Sequence, residues 1–446
     1  MNRSKWLAAA AFVAASFASA NSAGAYTFTD DPVLYWNQVL LQNVTGSPVI
    51  TSRSYSMMEV AMYEAVNATT GGTYKSYAGL PTSTGDSRAA AATAARDVLL
   101  FLLPINGTQA RLDQRAAIEQ NYQSSLSVVA PGQTRTDGIS TGAAAAQAII
   151  NMRTGDGSAA VVTYVPTDPP VDGRYQLTGA GSAVTPQWGA VDPWIMNSGD
   201  QFRPGPPPAV GSPEYDAALA QVMLIGAAGA EAAGDRTPFQ TQSAQYWASP
   251  AGTGLAPWIY AAMGASDGMG LSSLQYAAMF AALTTSVADT TIGIFDAKYY
   301  YDYWRPITGI NDAYPGLNWT SLITAPLHPS YVSGHSGVGA AAAEVLSFYL
   351  GSNTQACFAG FTCFANFGLA AENGADSRLW GGIHWSFDNE AGRTLGSQIA
   401  QNTLRSGFFQ AVPEPATWMM MLLGFGLMGL TVRRSRRARP ALRQLA

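Results

Sequence analysis

His328-Pro329-Ser330-Tyr331-Val332-Ser333-Gly334-His335-Ser336 runs straight into 337–350, an alanine-rich stretch with apolar residues at helical spacing. Small residues at a helix start leave the first backbone N–H groups unpaired and pointing outward, a natural seat for anionic oxygens. Ser333 adds a hydroxyl donor and His335 a titratable ring. A lone histidine at such a place is most often a cap or a satisfied residue. Two histidines seven apart, flanking Ser-Gly, favour a site.

Two further segments belong with it. In Lys298-Tyr299-Tyr300-Tyr301-Asp302-Tyr303-Trp304-Arg305-Pro306, a spacing of seven predicts both cations on one face of a helix, two turns apart. Like charges so placed repel unless an anion sits between them. The bland alternative is a solvated basic face, with Asp302 as partner to either cation. In Ser377-Arg378-Leu379-Trp380-Gly381-Gly382-Ile383-His384-Trp385-Ser386-Phe387-Asp388, Arg378 offers a planar fork suited to oxyanions. Asp388, four residues after His384, is placed to orient the imidazole; the alternative is a buried Arg–Asp pair. Together the segments supply three cations, a cradle of amides, a hydroxyl and two histidines. That set predicts a pocket for a tetrahedral oxyanion, phosphate or vanadate, with His384 able to bond the central atom and His335 to transfer protons.

Outward from these segments the pattern is helical. Apolar residues recur at three- and four-residue spacing over 32–41, 55–66, 88–102, 111–123 and 141–153, and again over 213–233, 272–289, 295–304, 337–350 and 389–405. Between the groups, 156–213 is rich in Pro, Gly and Thr and reads as a long irregular connection. No alternating strand pattern persists. The fold class is therefore all-α, two helical groups joined by an irregular segment. Only 12% of the 446 residues are charged, against about 25% in ordinary domains. No basic face can be built from so few cations, which argues against a nucleic-acid partner; the 48% hydrophobic content argues against disorder. The three histidines, His328, His335 and His384, and one of the three lysines, Lys298, crowd into the same region.

The two ends read as addresses. Residues 1–25 carry Arg3 and Lys5, an apolar run, and Ala18-Ser19-Ala20 and Ala23-Gly24-Ala25, as a secretory signal peptide does. At 412–446, Val412-Pro413-Glu414-Pro415 precedes an apolar run, 418–432, and the cluster Arg433, Arg434, Arg436, Arg437 and Arg439. The run is short of the ~20 residues of a comfortable span. This order resembles the PEP-CTERM sorting signal of exported bacterial proteins, and it implies membrane retention through this segment alone, then processing by an exosortase-type enzyme. The destination expected is the periplasm, the cell surface or the medium; a plain C-terminal anchor is the alternative. The formal charge of −5 falls to near −12 once Arg3, Lys5, six tail arginines and Glu414 are removed. An oxidising destination favours a disulfide between Cys357 and Cys363. A metal site there would want further Cys or His nearby.

The three segments, K-x6-R-P, S-G-H and S-R-x5-H, resemble the signature of the superfamily of vanadium-dependent haloperoxidases and type 2 phosphatidic acid phosphatases. Residues 142–153 with Thr154-Gly155-Asp156-Gly157-Ser158, Trp188-Gly189, Pro193-Trp194 and Gln201-Phe202-Arg203-Pro204 resemble its bacterial haloperoxidase-type members. The likeness covers roughly 32–408, within a body at 26–411 whose site region is 290–408. It implies two four-helix bundles, with Lys298, Arg305, Ser333, Gly334 and Arg378 around vanadate oxygens. It further implies His384 as the vanadium ligand, His335 as the acid–base residue, and Lys298 polarising the oxygen under attack. The implied reaction oxidises halide with hydrogen peroxide to a hypohalous-acid-type electrophile. His328 stands where bromoperoxidase-type members carry a second histidine, which favours bromide or iodide. Phe295 departs from the tryptophan usual there, which leaves the halide pocket and its selectivity open.

Two rivals share the data. An exported acid phosphatase would use the same site, with His384 as nucleophile through a phosphohistidine and His335 as acid. Lipid phosphatases of the superfamily cross the membrane repeatedly, and no ~20-residue apolar run is read in this body. A non-catalytic surface or matrix protein would have no reason to keep every ligand. The sequence leaves the oligomeric state open.

Overall fold

The computed structural model describes residues 26–27 and 30–410; the signal peptide and sorting segment expected at 1–25 and 412–446 lie outside the described residues. Among the described residues fourteen α-helices carry the architecture: α1 (Pro32–Asn43), α2 (Pro48–Thr69), α3 (Ser87–Leu102), α4 (Gln109–Ser127), α5 (Gln133–Arg153), α6 (Pro213–Ile225), α7 (Ala230–Ala233), α8 (Pro238–Ala248), α9 (Ala256–Ser266), α10 (Ser273–Tyr301), α11 (Pro306–Ala313), α12 (Gly334–Leu350), α13 (Phe367–Trp380) and α14 (Ser386–Arg405). Among the described residues the only strands are β1 (Ala356–Cys357) and β2 (Cys363–Phe364), an antiparallel hairpin.

The helices form two groups of four. In the first, α3 packs on α2, α4 and α5; in the second, α12 packs on α10, α13 and α14. Helix α10 joins them, lying against α2 on one side and α12 and α14 on the other. Small residues set these approaches. A Cβ at Gly142 of α5 would collide with the Ala90 carbonyl of α3, and one at Gly396 of α14 with the Gly337 carbonyl of α12. Backbones this close leave no room for any other residue type at those two positions.

Several expected helices are drawn differently. The two stretches 272–289 and 295–304 are one helix, α10, started by a capping box between Ser272 and Gln275. It ends where Asp302 turns left-handed (φ 52°), so Trp304 and Arg305 lie beyond it. The stretch 213–233 breaks after Ile225, because Gly226 packs against the backbone of Gly382. Periodicity does not mark α8, α9, α11 and α13: α9 and α13 are buried on several sides and lack a clean apolar stripe, while α8 and α11 are short and bury only three residues each. The ~20-residue run not read in the body does exist by length and composition. It is α10, whose apolar window is wholly buried as a core helix.

The connection 156–213 is irregular apart from one 3-10 turn, Trp188–Ala190. Three polar anchors, two of them buried, tie it down. Asp156 accepts from Arg53 Nε (2.6 Å) and pairs with Arg153 Nη2 (2.8 Å). Asp289 of α10, fully buried, accepts from the amides of Trp194, Ile195 and Met196. Arg203 makes a two-pronged pair with Asp296, at 2.6 and 2.8 Å.

Candidate active site

The site forms where the end of α10, the start of α12 and the turn between α13 and α14 converge. Lys298 and Arg305 both reach it, but not from one helical face. Pro306 opens α11 with Arg305 as its N-cap, and the turn at Asp302 swings Arg305 back toward Lys298. Asp302 partners neither cation: it accepts from Tyr164 Oη (2.6 Å) and lies 3.9 Å from Arg174. The alternative reading, an Arg378–Asp388 pair, is also absent among the described ion pairs. Arg378 instead donates to Ser377 Oγ (3.1 Å) and the Ala244 carbonyl (3.2 Å).

The three cations are buried, Lys298 and Arg305 completely and Arg378 to 3% exposure. Lys298 Nζ donates to the carbonyls of Pro329 and Ser330, both at 2.8 Å. Arg305 donates to the carbonyls of His328 (3.0 Å) and Ile383 (2.7 Å), and its Nη1 reaches His384 Nε2 at 3.1 Å. Burial drives the Lys298 ammonium well below its usual range, and Arg305 pushes the same way. Burial likewise lowers Arg305 to about 10, and burial with Arg305 lowers Arg378 to about 9. Asp388 opposes the lowering of Lys298 and of Arg305, where Tyr175 and Tyr299 add to it, and burial raises the Asp388 carboxyl to about 6. Three cations facing one carboxylate leave a buried positive excess, which is costly without an anion.

A guanidinium only donates, so His384 Nε2 presents its lone pair and Nδ1 carries the proton. That proton goes to Asp388 Oδ2 at 2.8 Å. The same oxygen accepts from Ser330 Oγ (2.5 Å) and the Trp385 amide (3.2 Å). Burial, then Arg305 and Lys298, hold His384 well below the ordinary histidine range, so it is neutral at pH 7. His335 Nε2 lies 2.8 Å from the Trp247 carbonyl, which only accepts, so its lone pair is on Nδ1. It too is pushed down, by burial and by Arg378.

Gly334 is the first residue of α12, and a Cβ built on it would meet nothing within 4 Å. Ser333, the N-cap, makes no side-chain cap to its own helix; its Oγ accepts from Ser336 Oγ at 2.8 Å and keeps its own proton to give. The first turn of α12 thus has no capping side chain, and its first residue, Gly334, lines a cavity. This cavity, of about 300 Å³, brings Lys298, Gly334, His335, Arg378 and His384 together with Phe295 and His328. Arg305 and Ser333 are buried beside this lining rather than in it. Phe295 and His328 pack ring against ring at 5.3 Å, and His328 Nδ1 lies 3.0 Å from Arg305 Nη2. Cys357 and Cys363 are joined in a disulfide that closes the β1–β2 hairpin, outside this lining.

This donor set suits vanadate or phosphate. It has imidazole lone pairs on His384 and His335, buried cations and an uncapped helix start, and the described residues hold no cluster of three His, Cys, Asp or Glu for a bare cation. Sequence reasoning missed Trp247, Thr253 and Ser330. The Thr237–Gln240 capping box was the available signal for α8 and hence for Trp247.

The fold is one shared with solved structures of vanadium-dependent haloperoxidases. A bacterial vanadium-dependent iodoperoxidase structure superposes with a TM-score of 0.71, at 24% identity over 85% of this chain and 95% of that one. An apo-type bacterial vanadium-dependent chloroperoxidase gives 0.64, at 14% identity over 81% and 94%. The chain carries that fold, and residues 278–408 match the family described as the VCPO second helical-bundle domain. The vanadium chloroperoxidase of Curvularia inaequalis is 24% identical over 163 residues, 30% of this chain and 27% of its own length. Residues 411–437 match the PEP-CTERM protein-sorting motif, which marks the chain for export and exosortase processing.

Proposed function

We propose that the body, 26–411, is an exported vanadate-dependent haloperoxidase that uses hydrogen peroxide to oxidise halide, bromide or iodide before chloride. The observation that carries this reading is the buried positive excess around a histidine whose Nε2 lone pair is free of a proton. His384 would ligate vanadium through Nε2, with Asp388 holding Nδ1–H and so the ring. Lys298, Arg305, Arg378, Ser333 Oγ and the Gly334 amide would hold the oxyanion's oxygens. Bound vanadate supplies a Lewis acid that activates peroxide toward halide. His335 would take up and return the peroxide proton at Nδ1, and Lys298 would steady the charge that develops on the oxygen under attack. Phe295 and His328 would form the halide end of the cavity. Similarity to an iodoperoxidase of the same fold supports the heavier halides.

The test loads purified protein with orthovanadate, then supplies peroxide with bromide, iodide or chloride and an organic acceptor. Vanadate-dependent halogenation, faster with bromide or iodide, is expected. In parallel the vanadate-free protein is offered a phosphate monoester. Hydrolysis that vanadate merely inhibits, without halogenation, would overturn the reading in favour of a phosphatase.

A further inference from the structure

The disulfide hairpin and the site meet through α8. Phe358 and Phe361, both inside the Cys357–Cys363 loop, clamp the last turn of that helix. The Phe358 ring lies edge-on to Trp247 (5.1 Å) and to Trp258 (5.2 Å). Phe361 stacks on Tyr246 at 4.4 Å and 16°. The loop is itself braced, with the Phe358 amide donating to Thr362 O and the Phe361 amide to Phe358 O. Trp247 is further fixed by its indole N–H, which donates to Asn373 Oδ1 at 2.8 Å, and by stacking on Trp258.

What this cluster fixes is a carbonyl. The last four carbonyls of a helix have no partner within it, and Trp247 lies one residue from the end of α8. Its oxygen accepts from Thr253 Oγ1 (3.0 Å) and from His335 Nε2–H (2.8 Å). The ring of His335 therefore takes its tautomer and orientation from an acceptor that the hairpin holds in place. Arg378 of α13 and Lys298 of α10 act on the same ring and disfavour a second proton. They offer no acceptor, so Trp247 O alone among its described partners pins Nε2.

We propose that the Cys357–Cys363 hairpin is a positioning element for His335, acting through Phe358 and Trp247. Opening the disulfide loosens the end of α8, and His335 loses its fixed acceptor and its single tautomer. Its role as proton carrier rests on the haloperoxidase reading; its positioning does not. Cys363 is exposed, so a dithiol reductant can reach the bond. Two electrons and two protons pass to the cysteines as the reductant closes into its own disulfide.

With three histidines in the whole chain, side-chain ¹⁵N NMR of the full-length protein, free of vanadate, peroxide and halide, resolves each ring. His335→Gln assigns its signal by loss. Wild type is expected to show His335 as one Nε2–H tautomer whose proton exchanges slowly. Dithiothreitol, the pair Cys357→Ser/Cys363→Ser, and Phe358→Ala should each mix its tautomers and speed that exchange about tenfold or more. His384 should keep its Nδ1–H signal, and Phe358→Leu should restore much of the His335 signature. On the vanadate-loaded enzyme the same variants should change the pH profile of kcat and leave vanadate affinity within about twofold. A His335 signal unmoved by reduction and by Phe358→Ala would overturn the proposal. So would simultaneous loss of the His384 signal, which would mark the hairpin as a general staple. Absence of halogenation with the NMR outcome intact would count against the enzymatic reading only.

Discussion

His384 and the cations beside it set opposite signs on two measurements. Three cations buried with one carboxylate weaken the empty protein and strengthen its hold on an anion. Arg378→Met removes one of them while keeping comparable volume. The variant without anion should be at least as stable to heat or denaturant as wild type. Saturating orthovanadate should stabilise wild type by about 2.7 kcal/mol at a hundredfold excess over Kd and leave the variant unmoved. A variant that loses stability yet still responds fully to vanadate would contradict this account. The pH dependence of the anion-free protein follows from its three buried histidines, His328, His335 and His384, each held well below the ordinary range, and His384 carries one share of it. His384 is held well below the ordinary value near 6.5, so below that pH the unfolded chain binds a proton the native ring refuses. Stability then rises with pH up to about 6.5 and falls on acidification. Asp388, raised to about 6, works in the opposite sense at lower pH, where the native state holds the extra proton. Between pH 6.5 and 6, therefore, His384→Gln should flatten the stability curve by up to about 1.4 kcal/mol per pH unit, read from urea midpoints.

At the scale of elements, the two glycine contacts separate fold from site. Gly396→Ala should force α14 off α12, costing about 1–3 kcal/mol. Because α14 carries Asp388 and α12 carries Gly334, anion binding should weaken with it. Gly142→Ala, in the contact of α5 with α3, should cost a similar amount and leave vanadate affinity unchanged. Equal loss of affinity in both variants would deny the second helical group its separate hold on the site. The element scale is also where sequence reading was least complete. Spacing marked both flanks of α10 but not its continuity. The seven-residue interval between Lys298 and Arg305 suggested one helical face, whereas the structure puts a left-handed turn between them. A helix buried all round, like α10, shows no polar stripe to delimit it, and a break at Asp302 depends on partners such as Tyr164 that are remote in sequence.

On the scale of the whole molecule, the −5 of the chain joins a basic C-terminal segment to a body near −12. We propose that the body is independent of its addresses. Residues 26–411 produced alone should melt at the same temperature and bind orthovanadate as tightly as the full chain, by calorimetry. In the native host, the exported protein should have lost the arginine cluster by mass, and changing Pro413-Glu414-Pro415 should retain it. Weaker vanadate binding by the isolated body would mean that the terminal segments take part in the site.

The sequence by itself determined which side chains could meet an oxyanion, since rare histidines and a rare lysine fall in three short segments with local meaning. Lys298, Arg305, Ser333, Gly334, Arg378, His384 and Asp388 were all legible there, because residue type and spacing along the chain are local properties. So were the helical class, the irregular connection and the sorting segment. Only the tertiary structure decided the protonation of the two rings and the company the cations keep. Arg305 Nη1 and Asp388 fix the tautomer of His384, and the Trp247 carbonyl fixes that of His335. Asp388 is only four residues from its ring, but Arg305 lies 79 residues from His384 and Trp247 88 from His335. A hydrogen bond across such a distance is set by how helices pack, and packing is a property of the assembled surfaces rather than of any one stretch of chain.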